Sequence, residues 1–420
     1  MLHTTIMLWL RVLAAVFTGT TQALISPPLS WTPLHWVSWI PFLWAIEGIA
    51  SRRRFWLGWL MGASALAAIF HWLVGTVQRF SMPNIPLAVS ILLLFSAAFG
   101  AYGGFFALFY PRIKRWAGPG WPFAVAALLA ALEFINPQLF PFYQGVAHYQ
   151  NAPLFQVASV TGVRGVSFLV LLVNGLLWAG IQSVWLKRGP VSPRQLVWLA
   201  GGTAVVLAAV LAFGAYRLAV IRTLEQDASS LRVGLIQLDL GIKERTRRNR
   251  EDRYGILEEY FEESAAAIEQ GAQVVVWPEG GSPYRVSGSK GREIAAFAKA
   301  HDVELWIGAL SSKRDPVTKH RRYYNSAYRY DRDGVQDQRY DKLVLLPFGE
   351  FIPGRSLFPE LTSKIPGVGN FYPGEDVVIF DSPAGPFNFL ICYEAIRSKL
   401  VRRSVKAGSR FFVTITNDAW

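Results

Sequence analysis

The 420-residue sequence contains a single cysteine, Cys392, and few acidic residues in its first half. One cysteine excludes any disulfide within the chain, so cysteine usage does not indicate the cellular compartment. The cysteine lies within FNFLICYEAIR, residues 387–397. The run Phe387 to Ile391 has the length and composition of a buried strand, and Glu394 to Lys406 has helical character.

A thiol at a junction between strand and helix lies near a helix N-terminus. The partial positive charge of that terminus favours the thiolate, which is the nucleophilic form. The pattern therefore predicts Cys392 as a nucleophile. From position alone the alternative is that a lone cysteine is a small buried apolar residue.

Acidic residues are nearly absent from residues 1–222, which carry fourteen Lys and Arg but only Glu47 and Glu133. The remaining 198 residues carry 28 basic and 27 acidic residues, so the net charge of +13 lies almost wholly in the first part. A nucleic-acid-binding protein would concentrate basic residues on one folded face among acidic ones. We therefore expect no nucleic-acid partner, because this pattern is typical of loops that flank membrane helices.

Apolar runs dominate the first part of the chain. Seven segments are long enough, or nearly so, to span a bilayer: residues 6–25, 33–50, 55–76, 84–110, 121–136, 165–186 and 196–221. The first is predicted to be a membrane helix and not a signal peptide, because it lacks a basic leader and contains Arg11. A soluble protein would need seven buried apolar helices in succession.

Basic residues cluster after the second, fourth and sixth segments. The clusters lie at residues 52–54, 112–115 and 187–194, whereas the 77–83 loop contains only Arg79. The positive-inside rule makes the clustered side cytoplasmic. An odd number of spans then places residues 223 onward outside the cytoplasm, in a periplasm if the cell has one.

From Leu231 the pattern alternates between strand and helix. Strands are predicted in LRVGLIQLDL, VVVWPE, ELWIGAL, DVVIFDS, FNFLICY and RFFVTIT, and a hairpin around Asp333-Gly334. Helices are predicted at Arg250 to Gln270 and Arg292 to His301. The sequence therefore predicts a membrane helix bundle over residues 1–222 and an α/β domain over residues 223–420.

Several of these strands end in chemically useful residues. In open α/β sheets reactive groups gather beyond the carboxyl ends of strands. VVVWPE ends in Glu279, FNFLIC ends in Cys392, and FFVTITND ends in Asn417 and Asp418. A single strand-end carboxylate is more often a turn or cap residue.

A further loop, DKLVLLPFGEFIP, contains Lys342 and Glu350. With Cys392 as thiol nucleophile, a carboxylate can take its proton and an ammonium can neutralise an oxyanion. The backbone N–H of Tyr393 is a candidate second oxyanion donor.

Three motifs carry a resemblance to a known superfamily. Trp277-Pro278-Glu279, then Asp341-Lys342 with PFGEFIP, then Ile391-Cys392-Tyr393-Glu394 resemble the Glu-Lys-Cys motifs of the nitrilase superfamily. Joined to an amino-terminal bundle of spans, with GVRGVSFL and a closing TNDAW, they resemble the bacterial apolipoprotein N-acyltransferase family.

The resemblance implies a nitrilase-like αββα sandwich on a polytopic helical bundle of about seven spans. It implies that Glu279 is the general base, Lys342 the oxyanion-stabilising residue and Cys392 the nucleophile. Support is implied from Glu350 and from Tyr393, and also from Glu394. No cofactor or metal is implied.

The family resemblance also implies the reaction and its partners. Cys392 would accept an acyl chain from the sn-1 position of a phospholipid, with phosphatidylethanolamine as the expected donor. The acyl chain would then pass to the amine of a diacylglyceryl-cysteine at a lipoprotein N-terminus. The implied location is the bacterial inner membrane, with residues 223–420 in the periplasm.

Two further segments suggest contact with lipid. The apolar loop from Leu343 to Phe358 is predicted to dip into the membrane interface as a lid. The alternative is that its apolar side chains pack under the loop. Aromatic residues at Phe140, Phe142 and Tyr143 are typical of the interfacial belt. Arg164 is a candidate partner for a lipid phosphate.

Two other classes of function stay open at this point. A membrane-tethered amidase or nitrile hydrolase would use the same Glu, Lys and Cys with water as the acceptor. A transporter or receptor with an inert outer domain would need the three motifs to be accidental. Charges within its spans would favour it, but Arg11, Glu47 and Glu133 are few.

The sequence departs from the resembling family in two places. QLDLGIKERTRRNREDRY lacks the tryptophan that the family often has after its first strand, so we assign no lipid contact to that loop. The family continues past NDAW with more of the α/β domain and an eighth span. We therefore expect a catalytic domain that is incomplete at its C-terminus, less stable and weakly active.

Overall fold

The structure is a computed structural model that describes residues 2–80, 84–315, 319–354 and 369–418. The chain divides into two compact units, Met1–Gln78 with Met82–Ala228, and Arg79–Ser81 with Ser229–Trp420. The first unit is helical. Its principal helices are α1 (Leu2–Ile25), α2 (Thr32–His35), α3 (Ile40–Ala45), α4 (Ser51–Ile69), α5 (Leu73–Phe80), α6 (Ile85–Phe99), α7 (Ala101–Ala117), α8 (Trp121–Ile135), α9 (Ala152–Phe155), α10 (Ala158–Thr161), α11 (Val163–Gly180) and α12 (Pro193–Gln226).

Four helical runs among the described residues are long and apolar enough to cross a membrane. They are Thr5–Ile25, Ile85–Ile135, Val163–Trp185 and Pro193–Gln226. A fifth is obtained if Ser51–Ile69 and Leu73–Arg79, which bend by 54° at their break, form one span. The membrane bundle predicted from the sequence is therefore confirmed, although length and composition identify fewer spans than seven.

The run Ile85–Ile135 contains two of the predicted segments. Tyr110 and Trp121 are eleven residues apart, about 16 Å along a straight helix, yet their ring centroids are 5.9 Å apart. The chain therefore turns between α7 and α8, at the 3₁₀ turn Gly118–Gly120. The turn separates the predicted segments 84–110 and 121–136.

The predicted segment 33–50 is not one continuous helix, which corrects that part of the sequence interpretation. It consists of α2 and α3, and each short helix has a proline in its first turn. The side chain of Asn174 bridges the break, because its Nδ2 donates to His35 O and its Oδ1 accepts from Trp39 N, both at 2.9 Å. Such satisfaction of freed backbone groups permits a helix break inside a membrane protein.

Glycines allow α4 to pack very closely against α6 and α7, near the residue that joins these two helices. A Cβ added at Gly58 would collide with the carbonyl of Gly103, and one added at Gly62 with the carbonyl of Gly100. Small residues at contacts of this kind let membrane helices approach closely and gain van der Waals contact.

The second unit contains two sheets. The first has five strands in the order β1 (Val233–Leu235), β2 (Val274–Val276), β3 (Glu304–Arg314), β4 (Arg321–Tyr330) and β5 (Gln336–Asp341). Its first three strands are parallel and its last two antiparallel. The second sheet pairs β6 (Phe387–Ile391) in parallel with β7 (Phe411–Ile415).

The buried strand β2 shows how these sheets are covered. Its side chains point to alternate faces. The helices α13 (Ile242–Glu251) and α14 (Arg253–Glu269) lie between β1 and β2 in the chain, and α15 (Ser289–Ala300) lies between β2 and β3. Val275 packs in a core with Leu257 of α14 and Ile294 of α15. Val274 and Val276 pack on the opposite face in a core with Phe387 of the second sheet.

A helix covers the outer face of the second sheet. The helix α16 (Ser398–Lys406) is joined to β6 by a hydrogen bond of 3.0 Å from Ser404 Oγ to Asn388 Oδ1. The layers are therefore helix, sheet, sheet and helix. This confirms the αββα sandwich that the family resemblance implied.

Two predicted elements differ in the structure. The run Asp376 to Ser382 does not form a strand but has an isolated bridge between Phe380 and Phe387. The carbonyl of Val378 there accepts from the side-chain amide of Asn388 on β6 at 2.7 Å, in place of the backbone pairing of a strand. The helix predicted at residues 250–270 is divided at Asp252, whose side chain caps α14 by accepting from Gly255 N.

Candidate active site

The structure brings the predicted catalytic residues together from different elements. Glu279 lies three residues beyond β2, Lys342 directly follows β5, and Cys392 directly follows β6. Lys342 and Glu279 form an ion pair, and both interact electrostatically with Cys392. The three residues that the sequence placed at strand ends therefore lie close together, and strands of both sheets contribute them.

Two carboxylates hold the Lys342 ammonium. Its Nζ lies 2.9 Å from Glu350 Oε2 and 3.4 Å from Glu279 Oε1. The lysine side chain is only 1% exposed. Burial by itself lowers the pKa of Lys342, but Glu279 and Glu350 outweigh it and raise the pKa above its ordinary value. Lys342 is therefore a permanent cation at neutral pH, suited to stabilise a developing negative charge.

Asn325, on β4, connects the same two carboxylates. Its Nδ2 donates to Glu279 Oε1 at 2.5 Å and to Glu350 Oε1 at 3.0 Å. Its backbone carbonyl also accepts from Lys342 N at 2.8 Å. The side-chain amide thus holds two like charges close together, and the backbone carbonyl of the same residue fixes the backbone of Lys342.

Cys392 differs from the sequence prediction in its local structure. It begins a 3₁₀ turn, Cys392–Ile396, with a φ of +51°, and α16 starts only at Ser398. The expected placement at the N-terminus of an α-helix is therefore wrong. A non-glycine residue in the left-handed region is uncommon and is held there by its surroundings.

The environment of the thiol favours its neutral form. The pKa of Cys392 is raised to about 11, first by burial and then by the negative charge of Glu279. Lys342 and a hydrogen bond with Thr416 act in the opposite direction. The predicted low-pKa thiolate is therefore not what the resting site holds, and a base must remove the proton during the reaction.

Glu394 organises the loops around the site. It is fully buried, and its carboxylate accepts from the backbone N–H groups of Leu343, Val344 and Ile391 at 2.7, 3.1 and 2.8 Å. Tyr340 O–H donates to it at 2.9 Å. Burial raises the pKa of Glu394 against these donors. Glu394 therefore ties the start of the lysine loop to the end of the cysteine strand.

Tyr393 lies beside the nucleophile and is 7% exposed. Its hydroxyl accepts from Arg397 at 3.1 Å. At the end of β7, Thr416 Oγ1 donates to Asp418 at 3.0 Å. Asp418 also raises the pKa of Cys392, which brings this strand end into the same electrostatic environment.

The apolar loop after Lys342 is divided between buried and exposed residues. Leu345 and Ile352 are 7% and 3% exposed, whereas Phe348 is 62% exposed. Part of the predicted lid, from Arg355 to Phe358, lies outside the described residues. The burial of Leu345 and Ile352 agrees with packing under the loop for those side chains, and the interfacial lid stays a prediction.

Reasoning from the sequence missed two residues that contact the candidate site, Asn325 and Thr416. Asn325 lies among alternating aromatic residues in a buried strand and is 5% exposed. A polar residue in such a strand is a weak signal that it has a partner in the tertiary structure. Thr416 has no sequence signal beyond its position at a strand end.

Two parts of the chain match known protein families. Residues 232–420 match the family described as Carbon-nitrogen hydrolase, and residues 18–176 match Apolipoprotein N-acyltransferase N-terminal domain. A bundle of apolar helices and a nitrilase-like domain on one chain define a membrane acyltransferase of the carbon–nitrogen hydrolase superfamily.

Relatives extend this match over nearly the whole chain. The "Apolipoprotein N-acyltransferase" of Geobacter metallireducens is 30% identical over 97% of this chain and 77% of its own length. That of Allorhizobium ampelinum is 29% identical over 98% and 79%. "Apolipoprotein N-acyltransferase 2" of Leptospira interrogans is 26% identical over 98% and 80%. The chain belongs to the apolipoprotein N-acyltransferase family.

Solved structures of the amidase from Nesterenkonia sp. AN1 also match, with 18% identity, 44% of this chain and 67% of that chain covered, and a TM-score of 0.33. A likeness of that size supports no conclusion. Family membership favours acyl transfer over the transporter or receptor that the sequence had left open.

Proposed function

We propose that the chain transfers an acyl chain from a phospholipid to the N-terminal amine of a diacylglyceryl lipoprotein through a thioester on Cys392. The observation that supports this is the contact of Lys342 with Glu279 and Glu350, together with their electrostatic interaction with Cys392. A base, a cation and a thiol in one place are what acyl transfer requires.

In the first half-reaction Glu279 takes the proton of the Cys392 thiol as Sγ attacks the carbonyl carbon of the sn-1 ester. Because the pKa of the thiol is raised, transfer to Glu279 occurs together with the attack and not before it. The tetrahedral oxyanion is stabilised by the Lys342 ammonium and by the backbone N–H of Tyr393. The ester C–O bond then breaks, and Glu279 returns the proton to the departing lysophospholipid oxygen.

In the second half-reaction the acceptor amine attacks the thioester carbonyl. Glu279 accepts a proton from the attacking nitrogen, and the same donors stabilise the oxyanion. The C–S bond breaks, and the thiolate of Cys392 recovers the proton from Glu279. The amide product leaves and the resting site is restored.

Glu350, Asn325 and Glu394 act through the other residues in this proposal. Glu350 and Asn325 hold Lys342 and Glu279 in position, and Glu394 fixes the loops that carry Lys342 and Cys392. Tyr393 contributes its backbone N–H.

We place the first unit in a bacterial inner membrane and residues 229–420 in the periplasm. The reason is that the basic loops of the first unit favour the cytoplasmic side of the membrane, and residues 229–420 are predicted to lie on the opposite side.

The test is to incubate the purified protein with phosphatidylethanolamine and to measure its intact mass. An acyl adduct that hydroxylamine removes is expected for the wild type and absent for Cys392→Ala. Glu375→Gln, at an exposed position, is the control. A hydroxylamine-labile adduct that persists in Cys392→Ala would exclude this nucleophile.

A second measurement separates acyl transfer from hydrolysis. After the thioester has formed, a diacylglyceryl-cysteinyl peptide is added and both acylated peptide and free fatty acid are measured. Acylated peptide is expected to dominate. Fatty acid alone, formed at the same rate with and without peptide, would indicate the membrane-tethered hydrolase that the sequence also allowed.

A further inference from the structure

Two charged residues of the first unit each lie at a helix end whose dipole has the same sign as their own charge. Glu133 is in the last turn of α8, where the helix dipole is negative, and Arg164 is the second residue of α11, where the dipole is positive. Helix dipoles favour the opposite arrangement. Each end therefore has a doubled charge: the end of α8 attracts a cation, and the start of α11 attracts an anion.

The Glu133 carboxylate is buried with one oxygen unused. The residue is 3% exposed, and its Oε1 accepts from Gln144 N at 2.8 Å. Its Oε2 is buried and has no hydrogen-bond partner among the described residues. Ser167 and Arg164 influence the carboxylate, but neither donates to Oε2 within hydrogen-bond distance. An unused buried acceptor is costly, so a donor is expected there.

The Arg164 guanidinium has a corresponding unused donor. It lies 5.1 Å from the ring centroid of Phe134 and 4.5 Å from that of Tyr143, and it donates to the Tyr143 hydroxyl at 3.0 Å. Its Nε is buried and has no partner in the described part of the chain. Glu133 and Arg164 interact electrostatically but form no ion pair within 4.0 Å. Two opposite charges near each other, each with an open position, suit a ligand that carries both charges.

We propose that Glu133 and Arg164 bind the zwitterionic headgroup of a phospholipid whose amine can donate hydrogen bonds, as in phosphatidylethanolamine. The ammonium donates to Glu133 Oε2 beside the C-terminal end of α8. The phosphate accepts from Arg164 at the start of α11, whose N-cap, Gly162, provides no side-chain cap. The choice of a lipid as the source of this headgroup rests on the proposed function.

A neighbouring apolar cleft also favours a lipid over a soluble phosphate ester. The cleft is lined by Leu66, Phe95, Phe99 and Tyr102 together with residues of the 136–142 loop. Tyr102 interacts with both Glu133 and Gln144, so the cleft adjoins the charged groups. The cleft is small, about 10 Å³, so what it contributes is apolar side chains beside the charged pair, as a headgroup joined to acyl chains requires.

The first test uses the wild type alone. The purified full chain is reconstituted in nanodiscs that contain equal amounts of phosphatidylethanolamine, phosphatidylcholine and phosphatidylglycerol, and the retained lipid is measured by native mass spectrometry. Phosphatidylethanolamine is expected to be enriched, because the trimethylammonium of phosphatidylcholine cannot donate and phosphatidylglycerol has no cation. Equal retention of the three lipids would overturn the proposal.

The variants separate the two charges. Glu133→Gln keeps an acceptor for Gln144 N–H but removes the negative charge, and it is expected to lower the ratio of bound phosphatidylethanolamine to phosphatidylglycerol about tenfold. Arg164→Gln is expected to weaken retention of both lipids and leave their ratio nearly unchanged. The exposed-site controls Glu225→Gln and Arg52→Gln should behave as wild type. An unchanged ratio in a monodisperse Glu133→Gln protein would contradict the assigned role of Glu133.

Soluble competitors test whether the headgroup or phosphate alone is recognised. O-phosphoethanolamine is expected to displace bound phosphatidylethanolamine more effectively than inorganic phosphate does. Equal displacement would mean that the carboxylate takes no part and would overturn the proposal.

Thioester formation from p-nitrophenyl palmitate, an acyl donor without a headgroup, reports the Cys392 chemistry separately. If that thioester forms while lipid retention is unselective, the headgroup site fails and the proposed function stands. If lipid retention is selective and no thioester forms, the proposed function fails and the headgroup site stands.

Discussion

The Lys342 ammonium lies 2.9 Å from Glu350, closer than the 3.4 Å that separates it from Glu279. The shorter ion pair supports our proposal that Glu350 holds the lysine and that Glu279 exchanges a proton with Cys392. Both carboxylates also accept from the same Asn325 amide, which holds them on either side of the lysine contact.

Glu350→Gln is expected to slow thioester formation about tenfold, because a neutral amide replaces one charge-assisted contact to Lys342. The rate is measured by intact mass after mixing with phosphatidylethanolamine. Glu375→Gln controls for loss of an exposed carboxylate. Wild-type rates in Glu350→Gln would show that Glu279 alone suffices to hold the lysine.

Asn325→Ala is expected to slow thioester formation about ten- to a hundredfold, because the two carboxylates lose the donor that holds them together. Asn325→Asp should be slow at neutral pH and should recover relative to wild type as the pH falls, since only a protonated carboxyl group can donate. Parallel pH–rate profiles for wild type and Asn325→Asp would contradict the positioning role.

Glu279→Gln is expected to separate thiol reactivity from acyl transfer. Glu279 raises the pKa of Cys392, so its removal lowers that pKa and increases the thiolate fraction at pH 8. Alkylation of Cys392 by iodoacetamide should therefore become faster, while thioester formation from phospholipid is lost with the base. For the wild type, alkylation should rise with pH up to about 11. Unchanged alkylation together with normal acylation would refute the assigned role of Glu279.

Glu394→Gln is expected to destabilise the second unit by about 1–3 kcal/mol, because an amide nitrogen would face one of the backbone donors that the carboxylate now accepts. Folded Glu394 has a raised pKa. Its contribution to stability is therefore greatest at low pH and decreases as the pH rises through that folded pKa. Resistance of residues 229–418 to pulse proteolysis measures the change, with Glu375→Gln as control. Equal resistance of the two variants would contradict the structural role.

The orientation in the membrane can be tested because the chain has only one cysteine. In a Cys392→Ala background, Asp227→Cys is expected to react with a membrane-impermeant maleimide in intact spheroplasts. Arg188→Cys should react only after permeabilisation, since it lies in a basic loop. Labelling of Arg188→Cys in intact spheroplasts, and of Asp227→Cys only after permeabilisation, would contradict the periplasmic assignment.

Much of the fold and of the site follows from local sequence. Apolar length and scarce acidic residues identify the membrane unit, because both are set by the hydrocarbon environment. Strand periodicity and strand-end residues pointed to Glu279, Lys342 and Cys392, since reactive groups gather beyond strand ends. That the ends of β2 and β5 meet the end of β6 from the second sheet is set by the packing of the two sheets. The Asp333-Gly334 hairpin follows from turn chemistry in the same way.

Only the tertiary structure decided which partners these residues have. Asn325 meets Glu279 and Glu350 across 46 and 25 residues, and Asn174 closes a helix break 135 residues away, through contacts that no spacing encodes. The sequence suggested a helix N-terminus that would lower the pKa of Cys392, but burial and Glu279 raise it. Burial and charge depend on what the rest of the chain places around a residue, and that is a property of the folded structure and not of a local pattern.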